Sequence, residues 1–211
     1  MEIKPLTVSP NPEMVAQPPQ MNHGGHEMFD VHEVLSGTIG VLDQYTMFRQ
    51  HVKDPELADI LNRQYNFMLN DYNMLVQAFQ TGQDPAQGTK TYMMNQENNF
   101  IYGLKPSAPK TPMRSANEIN DQRIAGQMLG MQKTCAGQRA VAACEVTNPV
   151  VRRVIADSVP NCIEMAYELS LYANKKGWYQ VPQLSAEDMQ QMMQSYGPAQ
   201  GAPNQNPTMM Q

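Results

Sequence analysis

Asn148-Pro-Val-Val-Arg-Arg-Val-Ile-Ala-Asp157-Ser-Val-Pro160-Asn-Cys-Ile-Glu-Met-Ala-Tyr-Glu-Leu-Ser-Leu-Tyr-Ala-Asn-Lys-Lys-Gly177-Trp178-Tyr179-Gln-Val-Pro182 reads as one long helix with its start and stop signals attached. Asn148 can accept from the first free backbone N–H groups, and Pro149 arrives with its φ already set. Apolar side chains recur at Val151, Ile155, Val159, Cys162, Ala166, Leu169 and Ala173, in steps of three and four. Lys175 and Lys176 suit a helix C-terminus, Gly177 suits the left-handed cap, and Pro182 prevents continuation. Pro160 lies inside, so a kink or local break is expected between Asp157 and Asn161.

An earlier copy begins 94 positions before, at Asp54-Pro55. The same shift carries the stripe onto Leu57, Leu61, Tyr65, Met68, Tyr72, Leu75 and Phe79, all apolar or aromatic. The preceding helices match at a shift of 93, with Val31, Leu35, Thr38, Leu42, Tyr45 and Phe48 falling on Ile124, Met128, Met131, Cys135, Gln138 and Val141. The chain therefore reads as two copies of one helical hairpin, with a single-residue insertion near the second turn. The paired Asx-Pro starts carry most of that reading.

Working outward, residues 1–21 form a Pro-rich arm without periodicity. Residues 22–182 hold the helices: hairpins over 30–80 and 115–176, and a crossover over 81–114. The first helix is expected from about Asp30, after a flexible Gly24-Gly25 lead-in. Ser115 to Glu118 reads as a capping box opening the third helix. Gly126, Gly130 and Gly137 in that helix are expected to let a neighbouring helix approach closely. Tyr92 to Tyr102 reads as a short helix within the crossover. Residues 183–211 comprise a short helix opened by Ser185 and a Pro/Gln/Asn tail. Two short turns and one long connection define an all-α, ferritin-like four-helix bundle of two hairpins.

With 211 residues the chain can bury the core of one domain. A net charge of −5 and an isoelectric point near 5.3 exclude a basic nucleic-acid-binding face. No apolar run approaches a membrane span, and no export signal opens the chain, so synthesis in the cytoplasm is expected. Only 17% of residues are charged, which favours self-association into a homo-oligomer. Cys135 and Cys162 lie on apolar stripes as small core residues, whereas Cys144 is a candidate for cross-linking.

A ferritin-like di-metal centre needs Glu on two helices and Glu-x-x-His on the other two. Every histidine here lies at or before His51, and the second and fourth helices offer Asn66, Asn70, Asn73, Asn161 and Glu164 instead. The interior is thus expected to contain hydrocarbon and amide groups, with no cofactor. His23, His26, His32 and Glu33, at the start of the first helix, are the candidate ligands for a stray metal ion. No nucleophile has its base nearby in sequence, and no phosphate-binding glycine loop is present, so no catalysis is expected.

The hairpin pair, the ending Lys175-Lys176-Gly177-Trp178-Tyr179-Gln180-Val181-Pro182, the approach Asn99-Phe100-Ile101-Tyr102-Gly103-Leu104, and His23-Gly-Gly-His26-Glu27 together resemble the Coat F family of spore coat proteins. The resemblance covers roughly residues 22–182. It implies a ferritin-like structural protein of the endospore coat, made in the mother cell, with other coat proteins as partners and no catalytic residues. Trp178 and Tyr179 are the candidate interaction residues. The alternatives are a ferritin-like metal-binding or oxidant-protection protein, and a binding module using Met189, Met192 and Met193.

Overall fold

The computed structural model describes residues 23–199 and 201. The Pro-rich arm and the end of the tail lie outside the described residues. Among the described residues there are five α-helices: α1 (Gly25–Arg49), α2 (Pro55–Thr81), α3 (Asp121–Glu145), α4 (Pro149–Lys175) and α5 (Ala186–Gln194). No strand forms among them beyond an isolated parallel bridge between Tyr102 and Val181. α1 packs on α2 and α3, and α4 packs on the same two, most extensively on α3. Among the described residues no helix is long and apolar enough to cross a membrane.

Both Asx-Pro starts are formed. Asp54 accepts from Glu56 N at 2.9 Å, and Asn148 accepts from Val150 N and Val151 N at 2.9 and 3.2 Å. The α4 stripe is buried except for half-buried Val159, and the α2 stripe except for half-buried Tyr65, Tyr72 and Phe79. Each fully buried Leu, Ile or Val contributes about 1.5–3 kcal/mol, so these two stripes supply part of an apolar core that α1 and α3 complete. One cluster gathers Tyr45, Leu57, Leu61, Met165 and Tyr172. The other gathers Val31, Val34, Leu75, Val151 and Ile155, around the opposite ends of the helices.

Several expectations are corrected. α1 starts at Gly25 rather than Asp30, despite the poor intrinsic propensity of Gly24-Gly25, because Glu27 is fastened to the α3–α4 turn. The third helix starts at Asp121. Ala116–Glu118 is a separate 3-10 turn, Ser115 makes no cap, and Asn120 accepts from Arg123 N at 3.1 Å instead. That start lets Asp121 accept from Lys53 N and Asp54 N, at 2.9 and 3.2 Å, and so tie the beginnings of α2 and α3 together. α4 runs unbroken through exposed Pro160; within that turn Asn161 Nδ2 donates to Asp157 O at 3.2 Å.

The stripe of α3 departs from its expected phase. Gln138 is half-buried and Val141 is 67% exposed, while Gln132, Arg139 and Ala142 face inward. Gly126, Gly130 and Gly137 face outward, and a Cβ at any of them would meet nothing within 4 Å. The close approach falls at Gly37, where a Cβ would sit 3.0 Å from Gln138 Oε1.

The crossover contains no helix over Tyr92 to Tyr102. It runs beside α4 in the same direction, and α4 side chains satisfy its backbone. Asn161 accepts from Tyr92 N at 2.9 Å and donates to Lys90 O at 2.9 Å. Glu168 accepts from Asn95 N at 3.1 Å, and Asn174 exchanges bonds of 2.7 and 2.9 Å with Ile101 N and O. Bonds of this kind replace the helical ones, which is why the segment stays extended.

Candidate functional site

At the C-terminal end of α4, chain reversal builds a cleft. Gly177 adopts φ 74°, and Trp178 N donates to Ala173 O at 2.8 Å, closing the helix. Asn174 Nδ2 also donates to Tyr179 O at 2.8 Å, so one amide holds both the crossover and the segment after α4. Trp178 turns back onto Tyr172, edge to face at 5.8 Å between ring centroids. Tyr179 stays 38% exposed, with Lys133 Nζ 5.4 Å from its ring centre.

Residues 104–111 of the crossover roof this end. Lys110 Nζ donates to Trp178 O at 3.2 Å, and Arg123 Nη1 donates to Thr111 O at 3.0 Å. Between roof and helices lies a cavity of about 920 Å³ lined by Leu104, Lys105, Lys110, Arg123, Trp178 and Tyr179 among others. Below it, Asp54 binds Lys176 Nζ at 2.6 Å and Tyr172 Oη at 3.0 Å. The hydrogen-bonded Lys176 ammonium holds the Asp54 carboxyl below its usual range, against a smaller push from burial. An apolar floor, an aromatic rim and basic side chains suit a protein segment with apolar anchors and some negative charge.

At the other end, His23 Nδ1 lies 2.6 Å from Glu27 Oε1. Glu27 Oε2 accepts from Thr147 N, Thr147 Oγ1 and Asn148 N at 3.0, 2.5 and 3.0 Å. Burial pushes the Glu27 carboxyl up, but the bonds from Thr147, His23 and Asn148 together pull it below its usual range. His23 and His32 both pack on Phe79, at 4.9 and 6.2 Å between ring centroids. His26 and Glu33 are exposed. Among the described residues no three His, Cys, Asp or Glu side chains are placed to hold a metal ion. His23 and His32 thus meet at Phe79, while His26, His32 and Glu33 are all exposed.

The interior corrects the expectation of hydrocarbon and amide alone. Glu168, fully buried, accepts from Arg63 Nη2 at 2.7 Å, Tyr92 Oη at 2.5 Å and Gln64 Nε2 at 3.2 Å. Gln64 in turn accepts from Tyr45 Oη at 2.8 Å, and Gln132 Nε2 donates to Tyr45 Oη at 2.9 Å. Further along, Arg139 is 3.7 Å from Asp71 and donates to Thr38 Oγ1 at 2.9 Å. Burial pushes the Asp71 carboxyl up to about 6, with Arg139 opposing. Asn66 and Asn73 are exposed, and Asn70 and Glu164 half-buried, so other residues supply the interior polar groups. The missed signal was the three-and-four spacing Met128, Gln132, Cys135, Arg139, Ala142, which places an arginine on the inner face.

Comparison with known proteins gives this geometry a family. Spore coat protein F-like protein YhcQ of Bacillus subtilis (strain 168) is 52% identical over 178 residues, spanning 84% of this chain and 82% of that protein. The chain belongs to the Coat F family. The Coat F domain model matches residues 120–182, from the Asn120 cap to Pro182. Spore coat protein F-like protein YraD of the same organism is 35% identical over 63 residues, 30% of this chain and 64% of that one. A crystal structure of a candidate spore coat protein from Bacillus halodurans C-125 shares the fold, with a TM-score of 0.57 at 17% identity, over 80% of this chain and 99% of that chain. The Coat F match takes in α3, α4, Trp178 and Tyr179, and so one wall and the rim of the cleft.

Proposed function

We propose that this Coat F protein is a structural, non-catalytic component of the endospore coat, made in the mother-cell cytoplasm and retained by docking to other coat proteins and to copies of itself. Membership of a family whose relatives are named as spore coat proteins, along most of both chains, is the observation that carries this reading. The fold we propose is a ferritin-like four-helix bundle of two hairpins, 30–80 and 115–176, joined by the crossover over 81–114. The pairing of α1 and α4 each with α2 and α3 supports it. Residues 22–182 are the proposed Coat F-like unit; the Pro-rich stretch over 1–21 lies outside the described residues.

The docking face is the cleft, with Trp178 as its fixed floor and Tyr179 as its exposed rim. A ferritin-like interior raises the question of paired metal ions, and these residues do not fit them. Arg139 brings a positive charge inside, Asp71 and Glu168 are each held beside an arginine, and no histidine lies on α2 or α4. Cations repel a guanidinium at that range, so the interior serves to fasten helices and crossover together.

Fractionation of spores tests the proposal. The chain is expected in the coat extract, after the cytoplasmic fraction has been washed away. Recovery in the mother-cell soluble fraction with none in the coat extract would overturn it.

A further inference from the structure

Among the described residues α5 is the one α-helix that buries no side chain. Ser185 opens it, accepting from Asp188 N at 3.1 Å. Met189, Met192 and Met193 then fall on one face, since they are three and four positions apart at about 3.6 residues per turn. Met193 is 72% exposed and Tyr196, just past the helix, 88% exposed, so the bundle leaves this apolar face uncovered. Asp188 lies one turn before Met192 and borders the face, whereas Glu187 lies across the helix from it. These two carboxylates are the only charged side chains in the sequence after Lys176.

The cleft beside Trp178 has the complementary character. Its lining includes Lys105, Lys110 and Arg123 and no carboxylate. Leu104, Leu129 and Trp178 supply apolar wall, and Gly126 leaves open space where a side chain would begin. No α5 residue of the same copy lines it. Gly103 N donates to Val181 O at 2.9 Å, and residues 182–185 alone separate that tie from α5, so the helix projects from its own copy on a short tether.

We infer that α5 of one copy docks in the cleft of a second copy, with Met189, Met192 and Met193 against Trp178 and Asp188 against Lys105 or Lys110. The reading of the cleft as a docking face underlies this contact, which gives it a second copy of this chain as occupant. Opposite charges draw the two surfaces together and fix their register. Unbranched methionine side chains adapt to an irregular apolar wall. Donor and acceptor are different surfaces and every copy carries both, so assembly runs head to tail past a dimer.

Light scattering of the purified full-length chain between about 1 μM and 1 mM tests this. The wild type is expected to grow past two chains as concentration rises. Met192→Asp with Met193→Asp removes the donor face, and Tyr179→Asp spoils the acceptor rim; each is expected to weaken assembly at least about tenfold. Mixed together they are expected to form a one-to-one pair and stop, because the first keeps its cleft and the second keeps its α5. A wild type that stays monomeric, a methionine variant that assembles like the wild type, or a mixture that forms no pair would overturn the inference. Zero-length carbodiimide cross-linking of an equal mixture of light and heavy-nitrogen wild-type chains needs no substitution. It is expected to join Asp188 to Lys105 or Lys110 in light–heavy pairs, and links confined to single chains would place α5 in its own cleft and refute the contact. None of these assays contains spore material, so their failure leaves docking to other coat proteins to be judged by binding to spores, and failure of spore binding leaves the head-to-tail contact to these assays.

Discussion

Replacing Glu168 by Ala separates the fastening of the crossover from the packing of the helices. Glu168 collects Arg63, Tyr92 Oη, Gln64 Nε2 and Asn95 N, which belong to α2 and the crossover. Removing one partner of a buried pair costs about 3–5 kcal/mol when the other cannot reach water. Arg63 is 23% exposed and rotates to solvent, so its share is discounted. Tyr92, Gln64 and Asn95 lose an ionised acceptor, each bond having contributed about 1.5–3 kcal/mol before water replaces part of it. The expected net loss is about 4 kcal/mol, a fall of about 8–16 °C in thermal midpoint. Urea unfolding followed by circular dichroism gives the total, and hydrogen exchange at the Asn95 amide reports the crossover alone. Exchange there is expected to accelerate well beyond the global change. A loss below about 1 kcal/mol with Asn95 protection unchanged would mean that the crossover is held by something else.

Three further outcomes follow from the same interior. Asp71 has a folded pKa near 6, above its ordinary 3.8, so its contribution is fully present below pH 3.8 and is lost as pH rises through 6. Stability of the wild type minus that of Asp71→Asn is therefore expected to fall between pH 4 and 6.5, by at most about 3 kcal/mol; a flat difference in chemical denaturation would contradict this. On α3, Val141→Lys is expected to change stability by less than about 0.5 kcal/mol, whereas Ala142→Lys unfolds the chain or costs more than about 3 kcal/mol. Equal costs by denaturant titration would restore the phase expected from sequence. At the other end, Trp178→Ala is expected to cost about 2–3 kcal/mol from lost packing on Tyr172, and Tyr179→Ser under about 0.5 kcal/mol, measured by thermal melting.

The helices α2 and α4 were legible because local and global signals agree there. Each opens with an Asx-Pro pair whose side chain does cap the helix, and each carries an apolar stripe that does turn inward. α3 lacks that agreement. Its small, apolar and polar residues are spread around the helix, so matching it to α1 placed Val141 inside and left Arg139 out. The start of α1 rests on Glu27 reaching Thr147 and Asn148, a contact between residues far apart in sequence. The crossover was legible as a connection but not in its conformation. Its backbone is satisfied by Asn161, Glu168 and Asn174 on another element, and nothing within 81–114 announces those partners. The cleft shares this limit. Trp178 and Tyr179 stand out as residues, yet their roof is supplied from more than sixty positions earlier.

The most direct measurement of the docking claim is saturable binding of the purified full-length chain to spores that lack it. The wild type is expected to bind to a fixed capacity, and Tyr179→Asp, substituted at the exposed rim, to lose at least about tenfold in affinity while melting like the wild type. No saturable binding, or equal binding by the folded variant, would contradict a role through this cleft.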